Sequence, residues 1–362
     1  MLFLDPIVWK GRNPTFEDYY QNFYLKNCRN ETSFFEDPYN YAAITSAIAT
    51  AVFPIHILAF YCILFKTPKT MDGIKKDLIV LHCWTFYCDN ALNVLLIGYI
   101  FAPVFCGVPL GALTHYGVPV VIIGYLGQIG VSGVGTSLVI LFETRYTAVS
   151  PNNIFNRFPI SKKLFLATNY IYTATFLIPA FYYWTPDDRQ IEEKLNVLKV
   201  IPCPSPVFFE DQVVVGFPPD HTWIAFYCCS AFSFIIITQI LFFVCNTIHR
   251  NHFKINLKLS IRTLKLQKRL FRSLCVQVVI PTVSLFIPAI YICFSIPFSY
   301  YDQTTNNILV LVFSSHGTLT SLCTILTYQP YRKVLFSFLT CGHTQKVIKR
   351  SVIVIHASIF FF

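Results

Sequence analysis

The sequence predicts an all-α membrane protein, a seven-transmembrane helix bundle with its amino terminus outside and its carboxyl terminus inside. Three observations carry this expectation. Seven apolar runs of about twenty residues or more recur along the 362-residue chain, and a hydrocarbon layer about 30 Å thick takes about 20 helical residues to cross. Charged residues are only 13% of the chain and hydrophobic ones 54%, where a globular protein has about a quarter charged. The basic residues, finally, collect in alternate connecting segments. Runs this long and continuously apolar also exclude a transmembrane β-barrel, whose strands are about ten residues long and alternate in polarity.

The elements follow in order. Residues 1–40 form an outer segment without a secretory signal, because Asp5 interrupts the short apolar start and Trp9, Lys10 and Arg12 follow it. Span 1 (41–65) then serves as an uncleaved anchor. Span 2 (78–104) contains Asp89, the one acid within a span, with Asn90 and Asn93 beside it. A carboxylate in hydrocarbon is costly and faces the bundle interior, so these three are expected to form an intramembrane polar cluster. His82 and Cys83, near the start of that span, are not at metal-ligand spacing and read as packing residues.

Span 3 (117–142) has glycine at 124, 127, 130 and 133, a stripe that admits close helix packing. Spans 4 (164–184) and 5 (223–248) flank a long loop containing Pro202-Cys203-Pro204. Span 6 (270–294) holds Pro281 and Pro288, which permit a kink. Span 7 (308–328) closes a bundle of residues 41–328 and leaves 329–362 as an inner tail. From Tyr331 to Cys341 that tail is expected to be an amphipathic helix on the membrane surface. Val334, Leu335, Phe338 and Leu339 make its apolar face, Arg332 and Lys333 meet headgroups, and Cys341 becomes a candidate for palmitoylation.

Orientation follows from charge. The segments after spans 1, 3, 5 and 7 hold 21 of the 28 basic residues and three of the 18 acids; the remaining segments hold seven basic and fourteen acidic residues. Cytoplasmic loops collect Lys and Arg, which places the amino terminus outside. The basic partner is then anionic lipid and not nucleic acid. Asn30, in Asn30-Glu31-Thr32, is the acceptable glycosylation sequon on the outer side. Most of the thirteen cysteines lie within spans. Cys28, Cys106 and Cys203 face the oxidising side, and Cys203 is the best disulfide candidate, with Cys28 or Cys106 as its partner.

No metalloprotease, serine-hydrolase, P-loop, dinucleotide-binding or paired-cysteine metal motif occurs, so neither an enzyme nor a cofactor or metal is predicted. A ligand-gated channel or transporter also needs many spans. Transporters, however, carry internal repeats, which are not visible here.

The motifs between the spans form a recognisable set. They are Phe53-Pro54-Ile55-His56 with Tyr61-Cys62-Ile63-Leu64-Phe65-Lys66-Thr67-Pro68, then Leu81-His82 with Trp84, and Phe142-Glu143-Thr144-Arg145-Tyr146. Asn169-Tyr170, Pro202-Cys203, Gln277-Val278 with Pro281, and Ile287-Pro288-Ala289-Ile290-Tyr291 follow. Asn306-Asn307, Ser315-His316-Gly317 and Pro330-Tyr331-Arg332 complete the set. In order and spacing the chain resembles the nematode serpentine receptor class H chemoreceptors, and shares parts of the pattern with classes I and D. The resemblance implies a small-molecule ligand, a heterotrimeric G protein as partner and the ciliary or plasma membrane of sensory neurons. From their place on the basic side, Glu143, Arg145 and Tyr146 and the basic segment 250–272 with its Lys265, Lys268 and Arg269 are the candidates to meet the G protein. An inserted Thr144 and the absence of an Asn-Pro-x-x-Tyr run in span 7 separate the chain from rhodopsin-like receptors. The residues that bind the ligand are not named by the resemblance.

Overall fold

A computed structural model describes residues 15–28, 31–150, 153–253 and 261–339. A short helix α1 (16–27) precedes α2 Pro38–Phe65 and α3 Asp72–Asn90; strands β1 Gly98–Ile100 and β2 Cys106–Pro109 come next. Then follow α4 Val120–Val149, α5 Pro159–Thr175 with a further turn Ile178–Phe181, α6 Gln190–Val200 and strand β3 Val214–Val215. The chain continues with α7 Thr222–Phe253 and α8 Ile261–Phe298. Helix α9 is made of two halves, Gln303–Ser314 and His316–Thr327, and α10 Gln329–Leu339 ends the described chain. The bundle helices are α2, α3, α4, α5, α7, α8 and α9.

Among the described residues, five stretches are long and apolar enough to cross a membrane: Pro38–Phe65, Val120–Val149, Pro159–Phe181, Pro219–Arg250 and Gln303–Thr327. Helix α3 is less apolar because Asp72, Lys75, Lys76 and Asp77 crowd its first turns, and the described apolar part of α8 is the shorter Thr282–Phe298. Local chemistry sets the helix starts. Asp37 accepts from Asn40 N just ahead of Pro38 in α2, and Asp302 accepts from Thr305 N at the head of α9.

Helix α4 is the axis of the bundle: 61% of its apolar window is enclosed by protein, against 17% for α5. Its glycines explain the position. A Cβ on Gly133 would enter the Trp84 indole, and one on Gly130 would press on Tyr87, whereas Gly124 faces open space. Most of the stripe therefore meets α3, and the expected close packing is specific to that pair. Both prolines of span 6 lie within an unbroken α8; the interruption falls in α9, at Ser315.

Hydropathy predicts that span 2 reaches residue 104, but the helix ends well before that. Helix α3 begins at Asp72, passes into a π-helical turn Ala91–Leu95 and stops at Ile97, whose φ of 28° a β-branched side chain adopts only under strain. Residues 98–109 form the β1–β2 hairpin instead, with Tyr99 opposite Val108, and β3 extends the sheet by pairing Val215 with Cys106. The run looked like a span because it is apolar, and it is apolar because it fills a second core. There Tyr99 and Phe101 are completely enclosed with Tyr24, Leu198, Phe208 and Val215. Hydropathy does not separate burial in protein from burial in lipid.

That second core forms a lid over one end of the bundle, assembled from α1, the hairpin, α6 and the loop around Phe208. At the opposite end, α10 folds back so that Tyr331 is buried, its hydroxyl 2.6 Å from Thr67 Oγ1. Val334 and Leu335 pack on the main core, whereas Phe338, expected on the same apolar face, is exposed.

Candidate functional site

Asp89 lies at the centre of a polar network joining α2, α3 and α9. It is 3% exposed and His56 of α2 is 1% exposed, with His56 Nε2 3.0 Å from Asp89 Oδ2. From α9, Thr318 Oγ1 donates to Oδ2 at 2.8 Å and Gly317 N donates to Oδ1 at 3.0 Å. His82 Nε2 is 3.1 Å from the carbonyl oxygen of His56. Ser321 Oγ bridges the rings, 3.2 Å from His56 Nδ1 and 3.5 Å from His82 Nδ1.

The sequence builds this locally. His82 and Asp89 are seven residues apart, about two turns, and so share a face of α3. On α9, Gly317, Thr318 and Ser321 share a face likewise. The break at Ser315 makes Gly317 part of the first turn of a new helical half, where amides lack intrahelical acceptors and bind an anion readily. Glycine is required at 317, since a Cβ would collide with the Asp89 carboxylate. Gly317→Ala is accordingly expected to cost about 2–3 kcal/mol, the upper range for overpacking, seen as a lower thermal midpoint of purified protein. Gly124→Ala, which meets nothing, is expected to leave the midpoint unchanged or raise it slightly.

Of the three residues expected to cluster, Asn93 joins Asp89 and Asn90 does not. Asn93 Nδ2 donates to Asp89 O and to Ser314 O, while Asn90 Nδ2 donates to Phe86 O of its own helix. A position one residue on points about 100° away, and only the fourth residue returns to the same face. His82 is also corrected: besides packing on the Phe60 ring, it is a member of the network.

The opposite end of the bundle carries the residues expected to meet a G protein. Glu143 is fully buried, paired with Lys162 at 2.8 Å and accepting from Thr147 Oγ1 at 2.5 Å. Arg145 points elsewhere. Its Nε and Nη2 are buried without a hydrogen-bond partner among the described residues, as is the hydroxyl of Tyr328. Tyr146 packs on Phe243 and Phe242. Lys265, Lys268 and Arg269 lie on α8, their side chains outside the described set.

At the lid end, Cys28 and Cys203 are joined in a disulfide with Cα atoms 5.4 Å apart, while Cys106 is buried in β2 as a free thiol. Tyr19 and Tyr24 of α1 donate to Pro202 O and Pro204 O on either side of that bridge, at 2.8 and 2.7 Å. Burial pushes the Tyr24 phenol up to about 12 and Tyr19 higher still, so both remain donors at physiological pH. The lid grips the head of α9 as well. Gln303 Nε2 donates to Ile100 O, Asn306 Nδ2 to Ala102 O and Asn307 Nδ2 to Phe35 O. The helix that holds Asp89 is therefore the one bolted to the lid. Among the described residues no group of three His, Cys, Asp or Glu side chains is placed to hold a metal ion. Asn30 and Cys341 lie outside the described residues.

Comparison with known proteins decides the family. The profile of the family described as "Serpentine type 7TM GPCR chemoreceptor Srh" matches residues 36–341. The chain belongs to that family of serpentine seven-transmembrane chemoreceptors. It is also 29% identical over 320 residues to serpentine receptor class H-72 of Caenorhabditis elegans, covering 87% of this chain and 90% of that protein. The receptor's matched region takes in the whole bundle and the lid segments after residue 35, and the α1 helix lies ahead of it.

Sequence reasoning passes over His56, Thr318 and Ser321 as site residues. Thr and Ser are common inside membrane helices, and a histidine 33 positions from Asp89 carries no local signal of contact. The available clue is that His56, His82 and Asp89 are all ionisable groups in apolar runs, which are expected to find one another in the bundle interior.

Proposed function

We propose that this receptor detects a small-molecule cue on its lid side, which faces the cell exterior, and activates a heterotrimeric G protein from its basic side. The site of action is the plasma membrane or ciliary membrane of a sensory neuron. The observation that carries the reading is the family match across residues 36–341. The charge distribution supports the orientation, with 21 of the 28 basic residues on the side of α10. The arrangement of α9 supports the mechanism: it is held by the lid at its head, by Asp89 at its centre and by α10 at its end. A ligand acts by binding one arrangement of these helices better than another, and a differential of about 1.4 kcal/mol shifts the equilibrium tenfold. On the basic side, buried donors of Arg145 and Tyr328 have no hydrogen-bond partner among the described residues.

The test is a ligand screen in cells expressing the chain, read by calcium or cyclic nucleotide. At matched surface level, Arg145→Ala is expected to lower the ligand-evoked signal about tenfold or more. Joint neutralisation of Lys265, Lys268 and Arg269 is expected to lower it further. Unchanged signalling in both would leave the basic residues with a topological role alone. Orientation is checked separately: endoglycosidase is expected to shift the mobility of wild type and not of Asn30→Gln, and a carboxyl-terminal tag open to protease on intact cells would reverse the assignment.

A further inference from the structure

Counting donors and acceptors in the Asp89 network shows how its charge is balanced. His82 Nε2 faces a backbone carbonyl, which only accepts, so that nitrogen carries hydrogen. Ser321 has one hydroxyl hydrogen and two imidazole nitrogens beside it, His56 Nδ1 and His82 Nδ1. If it donates to His82, then His56 must donate from Nδ1 to Ser321, and the 3.0 Å contact between His56 Nε2 and Asp89 Oδ2 needs a further hydrogen, on nitrogen or on oxygen. If it donates to His56, every contact is filled only when His82 Nδ1 carries a hydrogen too. Either way, the contacts of the two rings, the 3.5 Å one included, are all filled only with one proton more than two neutral imidazoles and a carboxylate supply. That proton also brings the net charge from −1 to zero. A neutral group is what a site 1% to 4% exposed within a membrane bundle demands.

We infer that His56, His82 and Asp89 together form a binding site for a single proton, which balances the intramembrane carboxylate and latches α9 to α2 and α3. The contacts leave the carboxylate no need of another cation, since Oδ2 accepts from His56 and Thr318 and Oδ1 from Gly317. The latch also opens without exposing charge. As Gly317 and Thr318 withdraw, the proton passes from His56 Nε2 to Asp89 Oδ2; an N–H bond breaks and an O–H bond forms, and where Ser321 had donated to His56 its hydroxyl hydrogen moves to His56 Nδ1 while His82 Nδ1 gives its own to Ser321, so that two neutral imidazoles and a neutral acid remain. Among the described residues, the titratable groups near the site are His82 and Cys88 of α3, with His316 and Cys323 buried on the same half of α9 as Gly317 and Thr318. The rings of Phe60 and Phe86 close the α2 and α3 side.

The experiment measures the thermal unfolding of the purified receptor in phospholipid nanodiscs from mildly acidic to alkaline pH at constant ionic strength. It needs neither a ligand nor a G protein, so its failure is distinct from failure of the receptor reading. Loss of the proton at alkaline pH leaves a buried charge and an unfilled contact. Wild type is therefore expected to lose folding equilibrium about tenfold more per pH unit than Asp89→Asn, which is neutral without the proton. Parallel pH profiles for the two overturn the proposal, and so does stabilisation of wild type by sodium over choline, which would make a metal cation the balancing charge. Should Asp89→Asn not fold, nitrogen-15 histidine spectra of wild type decide, with the rings assigned through His56→Gln and His82→Gln. One bare nitrogen across the two rings, or two together with a buried carboxylic acid band in the infrared, is expected. Two bare nitrogens with an ionised Asp89 overturn the proposal.

Discussion

Replacing His56 with leucine is expected to destabilise the receptor by about 3–5 kcal/mol, the range for leaving a buried carboxyl group without its partner. The physical loss is not the hydrogen bond at 3.0 Å alone. Asp89 would remain enclosed by α2, α3 and α9 with Thr318 and Gly317 as its remaining donors, and Ser321 and His82 would lose the ring that organises them. The double variant His56→Leu/Asp89→Asn is expected to recover part of the loss, because Asn leaves no buried charge without a partner and its amide oxygen still accepts from Thr318 or Gly317. Thermal unfolding of wild type, both single variants and the double variant completes the cycle. A coupling near zero would mean that the two residues act independently, contrary to their geometry.

The second large effect is expected at the lid. Cys203→Ser removes a bridge between residues 175 apart in sequence, and such a loop is in the range where a disulfide contributes about 2–5 kcal/mol. The membrane holds part of the unfolded chain together, so the lower half of that range is expected. Because α1 is otherwise held by the Tyr19 and Tyr24 hydroxyls and by aromatic packing on Phe209, the loss is local. Amide exchange in 16–27 is expected to rise well above that in α4, and surface expression to fall. If exchange in α1 were unchanged in Cys203→Ser, the hydrogen bonds and rings alone would hold the lid.

How much of this was legible beforehand depends on which interactions are local. The helix character of the bundle and the amphipathic α10 follow from patterns within a few residues, and the structure has them. The motifs spread from Phe53 to Arg332 indicated the class H family, to which the profile match over 36–341 assigns the chain. The importance of Asp89 was readable too, since a lone acid in an apolar run must be answered by something. What answers it was not. His56, Gly317, Thr318 and Ser321 approach Asp89 from 33 to 232 positions away, and one sequence does not record which faces of which helices meet.

Composition and charge by themselves determined that the chain is a multi-helix membrane protein with one strongly basic side, because crossing hydrocarbon imposes length and polarity on each segment separately. Only tertiary structure decided that residues 98–109 make a hairpin and not the end of a span, since burial in a lid and burial in lipid select the same apolar residues. It likewise decided that Cys28 and not Cys106 joins Cys203, and that Asn90 turns away while His82 joins the network. Each of these depends on the direction in which a side chain leaves its helix or strand and on what lies opposite. Those facts belong to the packed bundle and to no single segment of the chain.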